Sequence, residues 1–535
     1  MTSVRTRVKG LLGELPAVPE AYQMLIANGR QPAGGYDLSR LASELPAWVA
    51  AAKKAEKRWP TRRVLVVGSL SWWIEFSTAL AAVLAGRGCQ VDFGFVPFRR
   101  WTEPVSAFDH RRQSAYLRSA LSAFEELVGL HDLSSGKGTP LAHDLQQQID
   151  EVSRTDVQYT VGREWLDLQP GSSDREMLDL RRIRNEIAGS SMLELLDRRS
   201  YDVVIVPNGS ILEFAAVRAA AKWAGVQVVT FEFGEQRERI WIAQNDLVMR
   251  QDTSPLWQVC SDVDLSVAQI SRLSKLHEAR RSGESWEQFK REWQARSSSG
   301  SSAVLKQLGL DPNRPIVLLC TNVMGDSLAI DREVFTEGMG DWLAQTVRHF
   351  ADPDTGQLVV RIHPGEMAGA GYPSSEIVRS ALPSMPDHVA VVEPDSDINT
   401  YDLIELADLG LVYTTTVGME MATVGLPVIV AGETHYRGRG FTHDPESLAE
   451  YLATIDQLLE PEPANTVDTE LAERYAYRFF FDYPFEFPWH LLDFWDDIAE
   501  RPVSGILHDG DTYDATFHAL IGEPVDWQAR VGWDA

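Results

Sequence analysis

The sequence predicts an α/β protein built as two open parallel-sheet domains that face a cleft. Short apolar runs alternate with helical stretches: residues 63–69, 74–87 and 90–97 read strand, helix, strand, a β-α-β unit that implies a parallel sheet. Runs of the same kind return at 315–320, 358–362, 388–392, 409–413 and 427–430. The chain has 535 residues, more than one hydrophobic core accommodates.

The elements divide the chain as follows. Residues 1–60 read as helical, with an amphipathic segment at 41–55. Residues 61–260 form the first domain. Its first strands are interrupted by a helical insertion at about 104–200 with no strong strand. The strand pattern resumes at 201–207, passes the Asn208-Gly209 turn and a helix at 212–223, and ends on a strand at 226–234. Residues 261–303 are a polar helical connection closing in the Ser/Gly-rich stretch 296–302, a composition that reads as a flexible linker. The second domain spans 304–470, ending near Pro461. Residues 471–535 carry an aromatic run at 475–483 and a helix near 490–500.

Composition narrows the function. Apolar residues make up 44% and charged residues 24%, which suits a soluble globular enzyme. A net charge of −27 disfavours nonspecific binding to nucleic acid or to an anionic membrane surface. No apolar run approaches about 18 residues, so no integral membrane segment is expected. Arg5, Arg7 and Lys9 precede an apolar stretch at Leu11-Leu12 too short for a signal sequence. Cys89, Cys260 and Cys320 are far apart and read as buried thiols of a cytoplasmic protein.

In an open parallel sheet, ligands bind beyond the carboxyl ends of the strands. In the second domain those ends are rich in hydroxyl, basic and glycine residues. Thr414-Thr415-Thr416 leads through Val417 and Gly418 into a short helix, a cradle suited to phosphate, with Glu420 one turn in and placed for sugar hydroxyls. Arg361, Ile362, His363 and Pro364 follow another strand; proline stops the ladder there, and the imidazole is a donor for a phosphate oxygen. Asn322 and Asp326 lie on the turn after the first strand of this domain, and Tyr436 lies after the last. Arg437 and Arg439 add positive charge nearby. Asp395 and Asp397 spell D-x-D, but they precede a helix start at Asn399 and read as capping rather than metal binding. Asp509 and Asp511 lack calcium-loop spacing. In the first domain, Glu232 ends a strand between two phenylalanines, where burial would raise its pKa toward that of a general base. Glu75 and Asn208 are further candidates on the acceptor side.

Together these motifs resemble those of bacterial capsular polysaccharide biosynthesis proteins with the GT-B fold of two Rossmann-like domains. The resemblance rests on Thr321-Asn322-Val323-Met324-Gly325-Asp326, Phe335 through Trp342, Arg361 through Pro364, Tyr413 through Glu420, Gly425 through Tyr436, and the aromatic run near 475–481. It covers about residues 315–485, and the N-terminal half only as a fold. It implies a glycosyltransferase that uses a nucleotide sugar as donor and a saccharide or lipid-linked saccharide as acceptor, in surface polysaccharide biosynthesis, with no metal and no cofactor. His363 and the Thr414, Thr415 and Thr416 hydroxyls would hold the donor phosphates, Glu420 the ribose, and Asn322, Asp326, Arg361, Gly418 and Tyr436 would complete the donor site. Glu232 and His363 would carry catalysis.

Two other readings fit the same scaffold. A nucleotide-sugar 2-epimerase or polyol-phosphate transferase is one, but the paired glutamates of non-hydrolysing epimerases are replaced here by Glu420-Met421. A non-catalytic nucleotide-sugar-binding subunit is the other, since fold alone does not establish activity.

Overall fold

A computed structural model describes residues 9–531 apart from 10–11, 27–29, 33–35, 136–138, 235, 285, 288–295, 369–370, 461–466 and 509–511. The loop with Asp509 and Asp511, the domain end near Pro461 and the N-terminal Arg5, Arg7 and Leu11 lie outside the described residues. The first sheet is built from β1 (Arg63–Ser69), β2 (Gln90–Val96), β3 (Gly129–Asp132), β4 (Val203–Pro207), β5 (Gln227–Glu232) and β6 (Arg239–Gln244). The second contains β7 (Ile316–Cys320), β8 (Gln357–Arg361), β9 (Val389–Val392), β10 (Leu409–Val412) and β11 (Val428–Val430). A last strand, β12 (Phe485–Glu486), returns to the first sheet, so the orders are β12-β6-β5-β4-β1-β2-β3 and β11-β10-β7-β8-β9.

The second sheet is parallel throughout, with Leu319 opposite Leu411 on one side and Val360 on the other. Strands β7, β8 and β10 are buried along their whole length. Helices cover both faces, which is why these strands read as continuous apolar runs rather than alternating ones. The first sheet is parallel from β3 to β5, with Val66 between Phe93 and Ile205. The helix Ser71–Arg87 behind it is buried from Ile74 to Arg87 except for Glu75. Each fully buried Leu, Val or Phe there stabilises the fold by about 1.5–3 kcal/mol. The expected α/β class with two Rossmann-like domains is therefore present. Among the described residues no helix is long and apolar enough to cross a membrane.

Four features differ from the sequence expectation. The insertion contributes strand β3, which extends the sheet beside β2. Its Gly-Leu-His-Asp stretch is only half-buried and lacks apolar alternation, so it gave no strand signal. The first sheet also continues past β5 into the antiparallel pair β6 and β12. The Ser/Gly-rich stretch is no free tether: the Asp402 carboxylate accepts from Ser298 Oγ at 2.5 Å, Ser299 N at 2.9 Å and Gly300 N at 3.2 Å. Finally, the C-terminal segment crosses back to the first domain. Trp495 Nε1 donates to Glu75, Arg87 donates to the Ile506 carbonyl, and Phe517 packs in the first core.

The insertion also bridges the domains. Its helix His143–Val161 ends at Gly162, whose carbonyl accepts from Tyr372 N at 3.1 Å. The backbones touch here: a Cβ on Gly325 would lie 2.5 Å from the Gly162 carbonyl carbon. The insertion's last helix, Ser173–Arg198, reads as a polar surface helix, yet it buries Arg181 completely between Asp156 at 2.6 Å and Glu213 at 2.9 Å. Pairing makes that burial tolerable.

Candidate functional site

The site is assembled by the turn that follows β7. Thr321 Oγ1 accepts the backbone N–H of His363 at 2.9 Å, and Asn322 Oδ1 accepts that of Thr414 at 3.1 Å. One dipeptide thus fixes the ends of β8 and β10 on either side of β7. Both of its side chains are nearly fully buried. Asn322 is a scaffold, where a ligand contact was expected. His363 itself is half-buried, and its Nδ1 accepts from Gly365 N at 3.0 Å. That bond puts the ring proton on Nε2, making Nε2–H a hydrogen-bond donor.

The three threonines divide by role. Thr414 is buried and donates its hydroxyl to the Leu328 carbonyl at 2.9 Å. Thr415 and Thr416 are half-open, and their hydroxyls bond to no described residue. They are the hydroxyls that remain for a ligand. Tyr436, expected at the donor, is fully buried and supports the loop by donating to the Thr415 carbonyl at 2.6 Å. Gly418 lies under it: a Cβ there would meet Tyr436 Oη at 2.6 Å, so packing requires this glycine.

Glu420 differs from expectation. Its carboxylate forms an ion pair with Arg280 and accepts from Tyr401 Oη, and its side chain is 3% exposed. Arg280 comes from the helix Val267–Ser282 of the connection, a partner the local sequence around Glu420 does not announce. A ribose cannot reach a carboxylate so enclosed. Arg361 is also buried, donating to the Glu393 carbonyl at 2.6 Å, and burial lowers its pKa. With Arg280 and Arg296 it lines a cavity of about 10 Å³ beside Pro364, room for one water. Arg437 is spent on the Val430 and Pro445 carbonyls and Glu446, and Arg439 on Thr253 and Ser254. Of the D-x-D pair, Asp397 is bound by Arg296 at 3.1 Å.

Across the cleft, Glu232 ends β5. Its Oε2 accepts from Asn208 Nδ2 at 2.9 Å and its Oε1 from Phe233 N at 3.0 Å. Asn208 adopts a left-handed backbone with φ 54°, which turns its amide onto the carboxylate. Burial raises the Glu232 pKa most, and the negative charge of Asp326 from the second domain adds to the rise. Burial likewise raises Asp326. Both charges, with burial as the main cause, push the Tyr159 hydroxyl of the insertion up to about 12. Tyr159, Glu232 and Asp326 lie within electrostatic reach of one another. Sequence reasoning missed Tyr159, since one tyrosine on a polar helix carries no signal of its own. Glu75 is separate from these three. It lies against Trp495 at 3.1 Å, and burial raises its pKa to about 7.

Residues 273–461 match the family of capsule polysaccharide biosynthesis proteins. No curated protein sequence matches the chain. Solved structures that resemble it in part include the β-Kdo 2,4 transferase of KpsC from Thermosulfurimonas dismutans, at 16% identity and a TM-score of 0.37, covering 60% of this chain and 88% of that one. The β-Kdo 2,7 transferase of the same KpsC has 16% identity and a TM-score of 0.32, covering 55% and 82%. The UDP-GlcNAc 2-epimerase of Neisseria meningitidis bound to UDP-GlcNAc has 14% identity and a TM-score of 0.22, covering 78% and 97%.

Proposed function

We propose that this protein is a glycosyltransferase of surface polysaccharide biosynthesis that takes its sugar from a nucleotide-activated donor. The family match over residues 273–461 supports that assignment. What supports the chemistry is the pairing of two unlike strand ends, one in each domain. On one side stand His363, whose Nδ1 accepts from Gly365 N, and the half-open Thr415 and Thr416, whose hydroxyls bond to no described residue. On the other stands Glu232, a carboxylate with a raised pKa. The first set fits the phosphate of a leaving nucleotide, by fixed donors at the place where charge develops. The second fits a base for an acceptor hydroxyl.

In this scheme the acceptor oxygen attacks the anomeric carbon. The bond from that carbon to the phosphate oxygen breaks, and the acceptor proton passes to Glu232. No step is routed through a metal or a cofactor. The acceptor is a saccharide, free or lipid-linked, held by the first domain. Three free, buried cysteines fit a reducing compartment and nucleotide-sugar chemistry in the cytoplasm. A thermal-shift screen against UDP, GDP, CMP and their sugars tests the reading, because a ligand of the native state raises its melting temperature. A shift with one nucleotide class and its sugars is expected. No shift with any of them overturns the proposal.

A further inference from the structure

A second cavity, of about 650 Å³, opens at the far edge of the first sheet, beyond the C-terminal end of β3. It lies in the size range of ligand pockets. Its floor is a polar relay. Ser134 donates its hydroxyl to Asp132 Oδ1 at 2.6 Å and its backbone N–H to the same oxygen at 2.9 Å. Ser114 donates to Asp132 Oδ2. With the Ser134 proton committed to Asp132, the 2.7 Å contact between Ser134 Oγ and His110 Nε2 requires the imidazole to donate. His110 then carries its proton on Nε2 and presents Nδ1 as an acceptor. Burial lowers its pKa, which keeps the ring neutral. Phe98 stacks on the ring with centroids 5.1 Å apart and holds it in place.

Every hydroxyl proton of that relay is used internally, so the floor is rich in acceptor lone pairs. Such a lining suits a ligand that brings many hydroxyl donors. The rim adds one charge. Arg111 is spent on Glu20 at 2.7 Å and on the Gly13 and Leu15 carbonyls. Arg118 lines the same cavity over the Phe95 ring, is exposed, and makes no ion pair with a described residue. With Glu20 and Arg111 paired to each other, Arg118 and the hydrogen-bonded Asp132 carboxylate are the remaining charges of the lining.

The cavity and Glu232 both lie at the C-terminal ends of the strands, because β2, β1, β4 and β5 run parallel to β3. Four strand spacings separate β3 from β5, about 19 Å. We infer that this cavity is a distal subsite for the acceptor glycan, and that it takes a hydroxyl-rich, anionic saccharide unit several sugars away from the end that is extended. The inference rests on the glycosyltransferase reading for its role, and its chemistry rests on the cavity alone.

The test is direct binding of three probes to the full chain by calorimetry: tetragalacturonic acid, a glycerol-phosphate oligomer and maltotetraose. At least one anionic probe should bind more tightly than neutral maltotetraose, and which of the two binds identifies carboxylate or phosphate as the anion. Arg118→Glu, at an exposed position, should weaken that binding tenfold or more. Ala115→Trp, which fills the cavity, should do the same, while His363→Ala should leave it unchanged. Failure of both anionic probes to bind, equal affinity for maltotetraose, or unaltered binding in Arg118→Glu each overturns the subsite. Nucleotide binding measured on the same variants separates this result from the fate of the donor-site reading.

Discussion

Glu164 of the first domain accepts the backbone N–H of Gly340 in the second at 2.8 Å, and its other carboxylate oxygen accepts that of Met339 at the same distance. A side chain of one domain thus caps the helix Met339–His349 of the other. Capping by a carboxylate satisfies donors that the helix leaves unpaired and opposes its positive end. Gly338 makes room for it. Its φ of 145° is in glycine territory, and a Cβ there would lie 2.7 Å from Glu164 Oε2. With the Gly162–Gly325 contact, this cap ties the two domains together.

Glu164→Ala should therefore weaken the association of the two domains by about 1.5–3 kcal/mol, the worth of a hydrogen bond to a charged group. Small-angle scattering should show a larger radius of gyration for the variant. A profile identical to that of the parent would refute the latch.

Glu420→Ala should destabilise the protein by about 3–5 kcal/mol, because it removes half of a buried ion pair. Denaturant melts measure this. A variant of normal stability that loses only nucleotide affinity would return Glu420 to the ligand.

Glu232→Gln should abolish transfer while nucleotide affinity stays nearly intact. The pH dependence has a definite sign. A base must be ionised to act, so a raised pKa moves the acid limb of kcat/KM to higher pH. Asp326→Asn removes a repelling negative charge, so the Glu232 pKa should fall and the limb should move to lower pH. A limb unmoved in that variant would separate the two carboxylates.

His363→Ala should weaken donor binding about 10- to 100-fold, the loss of one charged hydrogen bond. Calorimetry with the nucleotide sugar found in the screen measures it. Unchanged affinity would remove His363 from the site.

Glu75 gives stability its own pH dependence. Its folded pKa of about 7 stands above the ordinary 4.5. The folded state therefore binds the proton more tightly, and this contribution is full below about pH 4.5 and lost as pH rises through 7. Glu75→Gln should flatten the fall in melting temperature between pH 5 and 8. A parallel fall in variant and parent would assign the dependence to other groups.

Much of the site's skeleton was legible. Apolar runs ending in Thr414, His363 and Thr321 marked the strand ends, because a strand buried on both faces must be apolar until it stops. Glu232 stood out because a carboxylate between two phenylalanines is rare and costly. The role of Glu420 was not legible. Its partner Arg280 is 140 residues away, and no spacing rule connects them. The same holds for Asn322, which supports Thr414 across 92 residues.

What the sequence by itself determined is the inventory of strands and helices and the chemistry available at their ends, since periodicity and residue type act over a few neighbours. Tertiary structure alone decided which of those groups stay open to a ligand. Arg280 encloses Glu420, Leu328 takes the Thr414 hydroxyl, and Glu164 joins the two domains. Each of those contacts depends on chain closure over long separations, and that is set by the packing of whole elements.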